Sequence, residues 1–281
     1  MSSKHHSKNR LDKPASRRTA PIVLGAVLAA ALAAGGMFAY GKLSELWIRQ
    51  CAIEDPASQV EVVSTGKMVS ADTIRDAFGI RKGENLWRID FARKRKEVLG
   101  NPKYATIKDI SVQRHLPDKA TIAITEREPA VRLNLSGSKT NSGRVVDMDG
   151  VVFLCSRGVS MLPVIKEPNH PGTQPGQTLG SMEMAALKLL EAAKDAEFQE
   201  LGIIEVDTSK PDYLCAVLGN YHRAKIAWEG MRDSSPRHRE NMLQVMRNLR
   251  DAINARLTAA ATVWNATEPD RVYADTKEPI R

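Results

Sequence analysis

Val60-Glu61-Val62-Val63-Ser64, Ile107-Lys108-Asp109-Ile110-Ser111-Val112 and Thr121-Ile122-Ala123-Ile124-Thr125 decide the fold of the first half of this 281-residue chain. The first run is β-branched and stops at Ser64-Thr65-Gly66. The other two alternate apolar and polar residues on either side of the turn-rich His115-Leu116-Pro117-Asp118-Lys119, the pattern of a β-hairpin. Two helical signatures lie between them. Ser70 stands as N-cap before Ile74, Ala77 and Phe78, with Gly79 at the stop. Asp90 caps a second helix whose apolar face is Phe91, Val98 and Leu99 and which ends at Gly100-Asn101-Pro102. The element order is β-α-α-β-β.

Three segments carry a family resemblance: Ile80-Arg81-Lys82-Gly83-Glu84-Asn85-Leu86-Trp87-Arg88-Ile89-Asp90, Val112-Gln113-Arg114-His115-Leu116-Pro117, and Ile122-Ala123-Ile124-Thr125-Glu126-Arg127-Glu128-Pro129-Ala130. In this order and spacing the chain resembles the POTRA domain of the FtsQ/DivIB family of bacterial division proteins. Leu116 departs from the pattern, since that family often carries an aromatic before the proline. The resemblance implies a POTRA domain over residues 56–131.

From Thr19 to Gly41 there is no charged side chain, and residues 21–42 as a helix would reach about 30 Å, the thickness of a bilayer core. A single uncleaved transmembrane helix is expected there. The segment is longer than the 7 to 15 apolar residues of a typical cleaved export signal, although Ser16-Arg17-Arg18-Thr19 resembles the start of a twin-arginine signal. Residues 1–20 form a basic tail, Lys4, Lys8, Arg10, Lys13, Arg17 and Arg18 against Asp12, which by the positive-inside bias holds the N-terminus in the cytoplasm and places the bulk outside. Most of the formal net charge of +8 sits in this tail, so the basic balance is no sign of a nucleic-acid partner.

Residues 132–275 must form a second domain, because one module of POTRA size cannot occupy some 240 residues. Val145-Val146 turning at Asp149-Gly150 into Val151-Val152-Phe153-Leu154 predicts a hairpin with a type I′ turn. Ser181 is read as the cap of a helix containing Ala186, Leu187, Leu190 and Ala193. Strands are predicted at Ile203 to Val206, Tyr213 to Leu218, Ala224 to Trp228 and Ala261 to Asn265, and at Val272-Tyr273. Ser235 as cap and Pro236 at the first position open a long helix with Met242, Met246, Leu249, Ile253 and Leu257 on one core stripe and Arg239, Arg247, Arg250 and Arg256 on a solvated face. Thr276-Lys277-Glu278-Pro279 within residues 276–281 reads as a polar tail. The fold class is α+β: a single N-terminal transmembrane helix, the β-α-α-β-β domain, then a mixed, mostly antiparallel β-domain with flanking helices. Three cysteines, Cys51, Cys155 and Cys215, are too few for a disulfide scaffold, and a Cys155 to Cys215 bridge stands as an alternative to buried thiols.

One motif argues for chemistry. Val145-Val146-Asp147-Met148-Asp149-Gly150-Val151 matches the nucleophile loop of haloacid-dehalogenase-type phosphatases, whose first aspartate attacks phosphorus. That chemistry also needs a downstream lysine and a second acidic pair, and Asp207-Thr208-Ser209-Lys210 offers one acid and one lysine only. The motif is therefore read as a turn in which asparagine would substitute for either aspartate. His222 and His238 lack metal-ligand spacing, and no other catalytic or phosphate-cradling motif occurs. No enzyme, cofactor, metal or small-molecule substrate is expected.

The resemblance extends, by element order, to the β-domain of FtsQ/DivIB, where strands continue the POTRA sheet and the last ones offer an edge to partners. It implies a bitopic scaffold in the inner (plasma) membrane at the division site, binding FtsB-like and FtsL-like proteins by β-augmentation. Val263, Trp264, Val272 and Tyr273 are the expected partner-binding residues, with core closure as the alternative role for Trp264 and Tyr273. The competing functions are a POTRA-bearing accessory protein of secretion or envelope assembly and an exported phosphatase.

Overall fold

The computed structural model describes residues 30–43, 52–115, 117–135, 143–167, 174–219, 221–229, 235–255 and 262–275. Residues 30–43 form helix α1, in which every side chain is exposed, Leu32, Met37, Phe38, Tyr40 and Leu43 included. Among the described residues no helix is long and apolar enough to cross a membrane. The rest of the expected span, the basic tail, Cys51 and the polar C-terminal tail lie outside the described residues.

A short helical turn, α2 (Pro56–Gln59), leads into β1 (Val60–Ser64), α3 (Ala71–Phe78), α4 (Phe91–Leu99), β2 (Ile107–His115) and β3 (Lys119–Glu126). The helix signals in the sequence act as expected. Ser70 Oγ accepts the Thr73 amide at 3.3 Å, Gly79 turns left-handed at φ +72°, and Asp90 accepts the Arg93 amide at 3.0 Å. β3 lies in the middle of the sheet, antiparallel to β2 and parallel to β1. Ala120, Ile122 and Ile124 therefore face Ile74, Phe78, Phe91 and Val98 of the two helices, all buried in one core. The parallel pairing was not legible from the runs themselves, because β1 reaches β3 through a helical crossover.

Glu126 ends β3 as a buried carboxylate. It accepts Ser64 Oγ at 2.6 Å and the amides of Met68 and Val69 at 2.9 and 3.2 Å, and so fixes the loop after β1. A Cβ on Gly66 would collide with its Oε2, so glycine is the residue that lets the loop close on the carboxylate.

The remaining strands form a separate nine-stranded sheet and do not extend the first one. The break comes at Arg127-Glu128-Pro129, where proline removes a ladder donor. In chain order the strands are β4 (Val131–Leu135), β5 (Arg144–Val146), β6 (Val152–Leu154), β7 (Val164–Glu167), β8 (Glu205–Asp207), β9 (Leu214–Val217), β10 (Arg223–Ile226), β11 (Val263–Glu268) and β12 (Arg271–Ala274). In space they run β12-β11-β10-β9-β8-β7-β4-β5-β6. The β4–β7, β7–β8 and β10–β11 pairs are parallel and the other five antiparallel, the mixed, mostly antiparallel character expected. Two helices, α5 (Ser181–Ala192) and α6 (Pro236–Asn254), pack with one face of this sheet in a single core that includes Leu187, Leu189, Met246, Leu249, Ala224 and Trp264.

Local differences from the sequence reading have physical reasons. Gly180, not Ser181, caps α5, and it does so without a side-chain hydrogen bond. The β5–β6 hairpin forms, but only Gly150 has positive φ (+80°), and its amide donates to the Asp147 carbonyl at 3.1 Å. A type I turn followed by a left-handed glycine replaces the type I′ turn, which needs two left-handed residues. Ser235 and Pro236 open α6 as predicted, whereas Leu257 and Arg256 lie outside the described residues. Arg247 and Arg250 are not merely solvated: both reach Glu197, at 3.1 and 3.3 Å. No disulfide joins Cys155 and Cys215.

The two sheets meet at the residues that raised the phosphatase reading. Arg127 Nη1 donates to Asp147 Oδ2 at 2.5 Å, Arg127 Nε donates to the Ala105 carbonyl, and Lys108 Nζ lies 2.7 Å from Asp149 Oδ2. The hydrogen bond that Lys108 donates to Asp149 holds the Asp149 carboxyl below its ordinary 3.8 and the Lys108 ammonium above its ordinary 10.5. The stabilisation from Asp149 is thus present above about 3.8 and is lost as pH falls through its lowered folded value. Both side chains are about half exposed, so salt screens the pair. Lys108→Ala should move the Asp149 titration midpoint, followed by carboxyl carbon NMR, up toward the ordinary value. An unchanged midpoint would show that the pair does not form in solution.

Candidate partner-binding edge

The nine-stranded sheet ends on β12, and the direction of its backbone groups follows from the register. Trp264 pairs with Ala274 and Asn265 with Tyr273, and the Asp275 amide donates to the Val263 carbonyl at 2.8 Å. In an antiparallel ladder bonded and non-bonded pairs alternate, so Val263/Asp275 and Asn265/Tyr273 are the bonded pairs. The amide and carbonyl of Tyr273 therefore point into the sheet, while those of Ala274 point out to the open edge. Alternation along the strand gives Val272 the same outward direction.

The four expected partner-binding residues fall on these two adjacent strands but in two environments. Val263 and Trp264 are buried on β11, which is paired on both sides, so its backbone is already spent. Trp264 is 3% exposed, packs in the α5/α6 core and donates through Nε1 to His222 Nδ1 at 3.0 Å. Val272 and Tyr273 lie on the edge strand, Val272 packed against the core and Tyr273 exposed on the opposite face. Beside Tyr273 on that face, Lys225 Nζ binds Asp275 Oδ2 at 2.9 Å and lies 5.4 Å from the Tyr213 ring centre, which fastens the end of β12. A register shift after Asn265 adds a bulge, and the Asn248 side chain on α6 holds the Pro269 carbonyl of the β11–β12 turn at 2.8 Å.

The edge is thus a short, supported strand with outward main-chain groups, an aromatic on one face and the α6 core on the other. Such an edge can add a strand from a partner, and its chemistry is hydrogen bonding rather than bond making. The phosphatase motif offers no comparable opening. Asp147 is 4% exposed, and its Oδ1 accepts the amides of Asp149 and Val151 while Oδ2 takes Arg127. Asp207 sits on β8, three strand spacings or about 14 Å from β5 along the sheet. Among the described residues no group of three His, Cys, Asp or Glu is placed to hold a metal ion.

Glu126, Arg127 and Asp147 are functional in a structural sense that the sequence reading missed. Two of them stand inside the quoted Thr125-Glu126-Arg127-Glu128-Pro129 segment. The available signal was a pair of opposite charges ending an otherwise buried strand.

Residues 56–127 match the family model described as POTRA domain, FtsQ-type. The chain is also similar to the cell division protein FtsQ of Corynebacterium glutamicum, 33% identical over 79 residues, a match that covers 28% of this chain and 32% of that protein. The matched stretch thus spans about a third of the relative's length. The three-stranded unit is a POTRA domain of the FtsQ type.

Proposed function

We propose that this chain is a membrane-anchored scaffold of the bacterial division machinery, working by binding and not by catalysis. The match of residues 56–127 to the FtsQ-type POTRA model carries this reading. The uncharged stretch from Thr19 to Gly41 and the exposed apolar side chains of α1 support a single span, with the basic tail in the cytoplasm and both sheets outside. The open backbone of β12 supports strand addition by FtsB-like and FtsL-like partners, with Val272 and Tyr273 at the contact and Val263 and Trp264 holding β11 behind it.

A tagged full-length chain should collect at mid-cell, and pull-down from cross-linked membranes should recover two small coiled-coil division proteins. Even distribution around the envelope, with recovery of secretion or envelope-assembly components, would replace this reading with that of an accessory POTRA protein. Phosphate release by the purified chain would restore the enzyme.

A further inference from the structure

The outward backbone groups of the edge strand belong to Val272 and Ala274, and the two residues are held unequally. Val272 lies near the β11–β12 turn, where the Asn248 side chain holds the Pro269 carbonyl at 2.8 Å, and its branched side chain packs against the α6 core. Ala274 brings a single methyl to the same core, so apolar contact fixes the far half of β12 only weakly. Its direction is set instead by its two neighbours, through the Asn265/Tyr273 pair and through the Asp275 amide, which donates to the Val263 carbonyl.

The Asp275 bond lies just past the end of the strand, where a ladder frays most easily. Here a side-chain clasp backs it. Lys225 belongs to β10, two strand spacings or about 10 Å from β12. Its ammonium crosses β11 and meets Asp275 Oδ2 at 2.9 Å. The two side chains are only 12% and 19% exposed, so salt screens this pair much less than one on the open surface. The Tyr213 ring centre, 5.4 Å from the ammonium, supports the lysine independently of Asp275. Lys225 is thus the fixed member of the clasp, and the strand end is the member it holds.

The two partners are not equivalent in what their loss does. Without the ammonium, the Asp275 carboxylate is left mostly buried and unpaired, and it regains water by swinging the strand end off the sheet. Asparagine at 275 keeps an acceptor for the ammonium and gives up only the charge.

We propose that Lys225 is a positioning residue for partner binding: by clasping Asp275 it keeps the far half of β12 on the sheet, so that Ala274 as well as Val272 offers its amide and carbonyl to an added strand. The inference rests on the strand-addition reading given above. The size of the effect follows from populations. A partner that needs the docked strand end binds more weakly in proportion to the docked fraction, so an end that is undocked nine times in ten costs about tenfold in affinity.

The test uses the full-length chain and three variants, Lys225→Met, Asp275→Asn and the exchanged pair Lys225→Asp/Asp275→Lys. Amide hydrogen exchange is followed together with recovery, per amount of bait, of the two small coiled-coil division proteins from membranes. Lys225→Met should speed exchange of the Tyr273 and Asp275 amides at least about tenfold and lower recovery by a similar factor, while the Leu214 to Val217 amides keep their protection. Asp275→Asn should do less of both, and the exchanged pair should restore part of each loss. Unchanged exchange at Asp275 in Lys225→Met overturns the clasp. Faster exchange there with wild-type recovery overturns its role in binding and leaves the strand-addition reading standing. Equal acceleration at Leu214 to Val217 overturns the local role, because the substitution then loosens the whole sheet. Failure of the wild-type chain to recover the two proteins overturns the strand-addition reading, and the proposal with it.

Discussion

Val272→Pro should abolish partner capture from cross-linked membranes while the protein unfolds at nearly its original temperature, and Tyr273→Pro, one residue on, should loosen the sheet. The contrast comes from the ladder phase. The Val272 amide points outward, so proline there removes a donor that only an added strand would use. The Tyr273 amide points at β11, so proline there breaks an existing bond and leaves an acceptor on β11 unsatisfied, at a cost on the order of 1–3 kcal/mol. An intermolecular ladder on a strand as short as Arg271–Ala274 has few bonds to lose. Removing one and blocking close approach should lower affinity by roughly tenfold or more. The readouts are recovery of the two small division proteins and a thermal melt of each variant. Wild-type recovery with Val272→Pro would move the interface off this edge. Equal destabilisation by both prolines would show that the assigned phase is wrong.

The legible parts of this fold were those written in local signals. Ser70, Gly79, Asp90, Ser235 and Pro236 act within a turn of their own position, so cap and stop residues placed α3, α4 and α6 correctly. Long-range pairing was not written locally. Val131-Arg132-Leu133-Asn134-Leu135 alternates apolar and polar residues, yet no strand is predicted there from the sequence, and nothing near it says that its neighbours are β5 and the distant β7. The candidate edge was half legible for the same reason. The apolar and aromatic residues of β11 and β12 mark both as strands, whereas which of them is outermost depends on β10 lying beside β11 in parallel, a contact bridged by all of α6. Trp264 falls on that ambiguity: expected at the partner contact with core closure as the alternative, it is buried, and its register puts it in the core.

Arg127→Met should destabilise the protein by roughly 3 kcal/mol, because it leaves the Asp147 carboxylate buried without its cation. For a chain of this size that corresponds to a fall in melting temperature of about 6 to 12 °C. The sequence alone reads Asp147 as a turn residue replaceable by asparagine, and half of that holds: an asparagine there would keep the Oδ1 bonds to the amides of Asp149 and Val151. The other oxygen, however, faces Arg127, whose side chain is only 15% exposed and also holds the Ala105 carbonyl. Asp147→Asn alone leaves the guanidinium only its longer ionic contact with Asp149 Oδ2, at 3.8 Å, and should therefore destabilise too, though by less than Arg127→Met. The double variant removes both charges and should be more stable than the sum of the single losses implies, since a buried ion pair replaced as a unit costs far less than one broken in half. Amide exchange should locate the damage at the junction, where the Ala130 amide meets the Val146 carbonyl and Ala105 packs with Val145 and Phe153, and leave Ile122 and Ile124 protected. Losses that simply add would mean that Arg127 and Asp147 act independently, and the joint between the two sheets would then rest on the apolar contact of Ala105 and on the Lys108–Asp149 pair.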